Sequence, residues 1–364
     1  MQAAGRHMQS EYMHWAKTRI HARYNVGASG VANYPLSDLP VRIEDLEITG
    51  DSYYGYAPLQ EAIAKHAGVP ADRVFSALGT SQANHLAMAV LLRPGDEVLI
   101  EQPTYELIVS TALYLGAVVK RFPRPAGENF GVSPGDLIRR IGPSTRLVVL
   151  TNLHNPSSAL LDDAALREIG RACAKAGARV LVDEVYLESA FDQNPGSAAF
   201  LGDDFIVTSS LTKVYGLSGL RCGWVLAEPS LVQAMWRLKD LFESIPPHVS
   251  ERLSVTAFTH LDAVRARSRA MIAENRRVLR ETLLRRPEVR CFDPGFGTVV
   301  FPELSGLSVE RLAEHLMERH ETLITPGRFF DMPGHFRIGL GGIPEMFREG
   351  MKRLCAGIDE LGRG

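Results

Sequence analysis

Three short apolar runs, each followed at once by polar residues of a different chemistry, constrain this chain more than any other feature. Arg146–Thr151 (RLVVLT), Ala178–Val182 (ARVLV) and Phe205–Thr208 (FIVT) are nearly continuous in Val, Leu, Ile and Phe. That is the pattern of strands buried on both faces. Between the first two lies Asp162–Ala176, apolar at a spacing near 3.6, with Asp-Asp at its start where negative charge favours a helix N-terminus. Upstream, strand-like Arg73–Ala77, Glu97–Glu101 and Ala117–Phe122 alternate with helical patterns over Leu59–His66, Ser81–Leu92 and Thr104–Leu115. Such alternation predicts an α/β fold, a large domain whose mostly parallel sheet is covered by helices on both faces.

After about Leu231 the texture changes. A long helical stretch over Ser250–Arg285 precedes short strands Val289–Phe292 and Thr298–Phe301, a helix Ser308–Arg319, a strand ending HFRIGL and a last helix from Pro344. These predict a smaller α+β domain from residues 246–364, completed by residues 1–45, beside a large domain over 46–245. No structural expectation attaches to the opening MQAAGRHMQS.

A parallel sheet places its site beyond the carboxyl ends of its strands, so the residues there decide the chemistry. After RLVVLT comes Asn152-Leu153-His154-Asn155-Pro156; after ARVLV, Asp183-Glu184-Val185-Tyr186; after FIVT, Ser209-Ser210-Leu211-Thr212-Lys213. An amide, a carboxylate with a phenol and a lysine flanked by hydroxyls thus stand at three successive strand ends. Singly, Asn155-Pro156 is a turn, Asp183 a helix cap and Lys213 a solvated cation; together they form a ligand site. A fourth element, Gly79-Thr80-Ser81, opens the helix Ser81–Leu92 with free N–H groups, hydroxyls and the positive end of a helix dipole, which suits a phosphate.

Neither a P-loop nor a GxGxxG fingerprint is present, which argues against a nucleotide-binding dehydrogenase. The net charge of -2 gives no reason to expect nucleic acid or an anionic membrane as partner. No apolar run reaches the length of a membrane span, and four dispersed cysteines without a CxxC suggest neither disulfides nor zinc. A cytoplasmic protein is expected. His315 and His320 stand five apart, off one helical face, so no metal site is expected there.

On these residues the chain resembles the fold-type I pyridoxal-phosphate enzymes, specifically the class I and II aminotransferases, from about Tyr24 onward. The strongest part is SLTKVYGLSGLRCGW. The resemblance implies that Lys213 is the Schiff-base lysine and proton-transfer base, and that Ser210 and Arg221 bind the cofactor phosphate with Gly79, Thr80 and Ser81. It implies that Tyr105 stacks over the pyridine ring, Asn155 and Tyr186 bond the ring oxygen, and Asp183 faces the pyridine nitrogen. Arg337 in FRIGLGG falls on the arginine that holds the substrate α-carboxylate. In SYYGY, Tyr54 or Tyr53 falls on the tyrosine that reaches the neighbouring subunit's phosphate, implying a homodimer with shared sites. Two departures stand out. The loop after the asparagine reads Pro156-Ser157-Ser158 and lacks its glycine, and the phosphate loop lacks the lysine of some dicarboxylate-specific members.

The implied cofactor is pyridoxal 5'-phosphate, and the implied activity is amino-group transfer between an L-amino acid and a 2-keto acid. The alternative is a lyase, cyclase or decarboxylase built on the same site. A cofactor-binding transcription sensor would carry a DNA-binding domain ahead of SYYGY, and the residues there hold none. Val26–Tyr34, Tyr54, Tyr56, Tyr105 and Glu243–Val249 are the expected side-chain pocket. They offer apolar and aromatic surface without a second cation, which favours a neutral or aromatic amino acid over aspartate.

Overall fold

The structure, a computed structural model, describes residues 7–362, so residues 1–6 and 363–364 of the expected small domain lie outside the described residues. The helices are α1 (Glu11–Arg19), α2 (Ala57–Ala67), α3 (Thr80–Leu91), α4 (Glu106–Tyr114), α5 (Pro134–Ile138), α6 (Asp163–Ala176), α7 (Pro229–Lys239), α8 (His248–Phe258), α9 (Leu261–Glu281), α10 (Val309–His320) and α11 (Pro344–Gly362). The strands are β1 (Tyr24–Asn25), β2 (Val74–Leu78), β3 (Glu97–Gln102), β4 (Val118–Pro123), β5 (Thr145–Thr151), β6 (Arg179–Asp183), β7 (Phe205–Ser210) and β8 (Cys222–Leu226). The smaller unit adds β9 (Val289–Arg290), β10 (Val299–Val300), β11 (Glu303–Leu304), β12 (Thr322–Leu323), β13 (Thr325–Pro326) and β14 (Phe336–Gly339).

A seven-stranded sheet in the order β2-β8-β7-β6-β5-β3-β4 forms the large domain. All its neighbours pair parallel except β8, which runs antiparallel to both β7 and β2. The apolar runs read in the sequence are its central strands. Val148, Leu150, Val180, Val182 and Val207 enter one core, while Leu147, Val149, Leu181 and Ile206 enter the other. Both faces are therefore buried, and the pleat alternates each strand between them.

Reversal of β8 matters for the site. Its first residues lie at the edge where the parallel strands end. The pairing Leu78↔Cys222 then sets Arg221 beside Gly79. Helix α6 is bounded as the sequence indicates: Asp162 accepts from the Ala165 amide, and Gly177 ends it at φ 71°.

In the smaller unit β10, β14 and β13 form an antiparallel sheet against α9, α10 and α11, with Val26 and Val31 of the N-terminal segment in its core. The single helical stretch expected over Ser250–Arg285 is two helices. Thr259 bonds back to the Thr256 carbonyl at 2.7 Å, as does His260 at 3.3 Å, which draws the chain out of the helical path between α8 and α9. Ala257, Leu261 and Val264 pack into the large-sheet core, so α9 reaches from one core to the other.

Candidate active site

A cavity of 410 Å³ opens where β5, β6 and β7 end, closed from the far side by α1, the Gly27–Val31 segment and β14. Of the residues singled out in the sequence, Thr80, Ser81, Tyr105, Asn155, Asp183, Tyr186, Ser210, Lys213, Arg221 and Arg337 line it.

Asp183 ends β6 and is buried. One carboxylate oxygen accepts from the Asn84 amide at 2.8 Å and the other from the Val185 N–H at 3.1 Å. Thr208 donates to the Asn84 oxygen at 2.6 Å, which leaves the Asn84 NH₂ no choice but to face Asp183. Burial pushes the Asp183 carboxyl up to about 6, against the lowering effect of those two bonds. A buried carboxylate in this condition gains most from a cation set against it, and a protonated ring nitrogen supplies one. Asn84 was not singled out from the sequence. Its signal was a polar residue on the apolar face of α3, among Ala83, Leu86, Ala87 and Met88.

Asn155 follows β5 on a loop pinned from below. The Glu101 carboxylate, itself paired with the buried Arg124 at 2.8 Å, accepts from the Thr151 N–H at 2.8 Å. The Thr151 hydroxyl in turn accepts from the Asn155 N–H at 3.3 Å. His154, held neutral because burial drives its pKa well down, donates to the Pro103 carbonyl at 2.9 Å. Arg337 donates to the Asn155 side-chain oxygen at 3.1 Å, so the Asn155 NH₂ is left to donate into the cavity.

The missing glycine of this loop is accounted for. Ser158 itself takes the left-handed conformation, φ 60°, and donates to the Val299 carbonyl at 2.8 Å. Gly297 makes room for it, since a Cβ there would lie 2.3 Å from the Ser158 hydroxyl.

Lys213 donates to the Ser29 hydroxyl at 3.1 Å, and Ser29 also bonds Tyr186. Burial lowers the lysine's pKa; Arg337 and Arg221 act in the same direction, while Tyr12 and Asp183 oppose them. The balance lowers the cost of the neutral amine. Val31 donates to the Lys213 carbonyl at 2.8 Å, tying the lysine's backbone to the N-terminal segment.

Opposite, Thr80 donates to Ser210 at 2.9 Å, and the Ser210 oxygen also accepts from the Thr212 N–H at 3.3 Å. Arg221 stands beside them, donating to the Leu78 carbonyl at 3.0 Å. Gly79 takes φ 81°, and a Cβ there would meet an Arg221 nitrogen at 2.3 Å. A Cβ on Gly223 would meet the Gly79 carbonyl carbon at 2.5 Å. This close approach is why the run GLRCGW needs its second glycine. A guanidinium, three hydroxyls and the free N–H groups opening α3 together fit a phosphate.

Arg337 is almost fully buried on β14. Besides Asn155, it donates through Nη2 to the Tyr12 hydroxyl at 2.8 Å and the Gly27 carbonyl at 3.0 Å, while its buried Nε has no partner. Tyr105 bonds the Met13 sulfur at 3.0 Å and meets Tyr12 edge-on, ring centroids 5.5 Å apart. Tyr12 and Trp15 were also missed from the sequence; Ser29 lies in the Val26–Tyr34 stretch expected to line the pocket, and only its bond to Lys213 was unforeseen. Tyr12 and Trp15, three apart in EYMHW, put two aromatics on one helical face, a signal in a stretch assigned to the small domain without a site role.

Three expectations place residues away from the cavity. Tyr54 is half exposed and bonds Asp240 at 3.2 Å and Arg237; Tyr53 is more exposed still. Tyr56 packs on His248, and Glu243–Val249 also lies outside the lining. Within the N-terminal stretch only Gly27–Val31 reaches it. On α10, His315 and His320 both bond Glu360, at 2.6 and 3.1 Å, so their spacing understated their proximity.

A model of the family described as "Aminotransferase class I and II" matches residues 45–354. The chain is 31% identical to capreomycidine synthase of Streptomyces vinaceus, covering 96% of this chain and 92% of that one. It is 29% identical to the arginine–pyruvate transaminase AruH of Pseudomonas aeruginosa, covering 87% and 85%. A pyridoxal-phosphate-dependent aminotransferase from Streptococcus suis shares the fold with a TM-score of 0.90 at 23% identity, over 99% of each chain. The pyridoxal-phosphate-dependent cyclase OrfR matches with a TM-score of 0.89 at 26% identity, also over 99% of each.

Proposed function

The chain belongs to the class I and II aminotransferases, and from that premise we propose that this cavity binds pyridoxal 5'-phosphate and passes an amino group from an L-amino acid to a 2-keto acid. The observation that carries the reading is the convergence on one sheet edge of Asp183 with its Asn84 support, Lys213, the Arg221–α3 cradle and Arg337. When bound, the cofactor supplies an aldehyde for the amino group and an electron-withdrawing ring.

The chain's own groups do the rest. Arg221, Thr80, Ser81, Ser210 and the N–H groups opening α3 hold the phosphate. Asp183 keeps the ring nitrogen protonated, and Asn155 and Tyr186 bond the ring oxygen. Arg337 fixes the substrate α-carboxylate, orienting the Cα–H bond toward Lys213. Lys213, once its amine is free and neutral, takes the proton from the substrate Cα and returns one. Amino acid and keto acid exchange roles over the two half-reactions, so no outside oxidant or reductant is required.

Incubating the cofactor-loaded protein with single L-amino acids tests this. Conversion of the cofactor's near-visible band with one equivalent of keto acid formed is the expected result. A second reading, a cyclase of the same cofactor, draws support from the likeness to OrfR. It predicts turnover without keto acid and without loss of that band.

The working unit in this proposal is a homodimer. Ile43, Ile48, Tyr53, Leu241, Phe242 and Ile245 are exposed apolar side chains that a second copy would cover. Tyr54, outside its own cavity, is then available to a neighbouring one. Residence in the cytoplasm belongs to the same proposal, supported by four free cysteines. No helix among the described residues is long and apolar enough to cross a membrane.

A further inference from the structure

Helix α1 covers the mouth of the cavity, and two donors beside it stand without acceptors. Nη2 of Arg337 gives its hydrogen to the Tyr12 oxygen at 2.8 Å, so the Tyr12 hydroxyl proton is left to donate elsewhere. The Nε of the same guanidinium is buried and unpaired. A buried donor left unsatisfied is destabilising, and a group with two acceptor oxygens would relieve both.

The rest of the exposed α1 face has a different character. Met13, Trp15, Ala16 and Ile20 line the cavity with Leu323. The helix is held there by aromatic packing: Trp15 lies 4.9 Å from Phe329, and Tyr12 lies 5.4 Å from the same ring. Among the described residues, the charged side chains lining the cavity are Lys213, Arg221, Arg337 and Asp183, and the proposed function engages all four.

We infer that α1 is the substrate-recognition element of this enzyme. Tyr12 shares the substrate α-carboxylate with Arg337, accepting from the guanidinium and donating to the carboxylate. The Met13–Ile20 face takes an uncharged, bulky side chain. This rests on the reading of Arg337 as the carboxylate anchor and adds to it a second carboxylate-binding residue and a substrate class.

The test uses the cofactor-loaded full chain, following the near-visible band with L-phenylalanine, L-leucine, L-arginine and L-aspartate, and inhibition by 3-phenylpropanoate. Wild type should convert phenylalanine or leucine at least tenfold more efficiently than arginine or aspartate. Tyr12→Phe keeps the ring and its packing. It should raise the KM for the preferred amino acid and the inhibition constant of 3-phenylpropanoate together by about tenfold, as loss of a hydrogen bond to a charged group gives, with the fall in kcat smaller than the rise in KM. Trp15→Ala, checked for an intact cofactor band, should narrow the preference for phenylalanine over arginine. A wild type that favours arginine or aspartate overturns the substrate class and leaves the aminotransferase reading standing. An unchanged inhibition constant in Tyr12→Phe overturns the role of Tyr12. A wild type inert to all four amino acids overturns the inference together with the reading beneath it.

Discussion

Asn84 of α3 donates its side-chain amide to the Asp183 carboxylate of β6 at 2.8 Å, with Thr208 of β7 fixing the direction of that amide. Three elements far apart in sequence thus agree on the state of one carboxylate. Replacing Asn84 by Ala removes a bond that lowers the Asp183 pKa. The acid limb of the pH–rate profile should move to higher pH, and kcat/KM at pH 7 should fall about tenfold, the value of one charge-assisted bond. An unchanged profile would show that the amide only fills space.

The Asp183 carboxyl, pushed up by burial to about 6 in the cofactor-free chain, also sets the pH dependence of cofactor binding. A cation held against it lowers its pKa again, so binding favours the ionised form and is weakened once the free carboxyl is protonated. The pairing is therefore fully available above about pH 6 and lost as pH falls below it. Spectroscopic titration should find weaker binding at pH 5 than at pH 7, by up to about tenfold per pH unit. In Asp183→Asn this part of the dependence should vanish, leaving the phosphate's own titration.

Gly223→Ala tests the contact between β8 and the opening of α3. The added methyl would lie 2.5 Å from the backbone of Gly79, which cannot yield without moving Arg221. Thermal unfolding of the cofactor-free variant should show a loss of about 1–3 kcal/mol, and the cofactor should dialyse away faster. Normal stability with normal retention would refute the tight packing.

Gly297→Ala should destabilise through its collision with Ser158, at 2.3 Å, and through its own φ of 85°. Adding Ser158→Gly removes the obstructing hydroxyl, so the double variant should recover part of the loss. Additive effects in denaturant unfolding would mean that the two positions are independent.

Much of the site was legible because its chemistry is local. A residue just beyond a buried strand has its place fixed by the strand, so Asn155, Asp183, Ser210 and Lys213 converge once RLVVLT, ARVLV and FIVT lie side by side. Arg221 was harder, since nothing in CGWVL announces that β8 runs backwards; the glycines around it were the only local sign. Asn84, Ser29 and Tyr12 were not legible as partners because their contacts span 99, 184 and 325 positions of chain. The break between α8 and α9 has no Gly or Pro to mark it and is made by Thr259 and His260 side chains. Tyr54 remains a residue whose use depends on a surface outside one chain.

The most direct test follows deuterium exchange at the substrate Cα in Lys213→Ala, in the presence of the cofactor and the preferred amino acid. With the base gone and the phosphate cradle, Asp183 and Arg337 untouched, exchange should fall by about 10²–10⁴-fold, while thermal unfolding shows the fold retained. Exchange at the wild-type rate would contradict the assignment of Lys213 as the group that moves the proton.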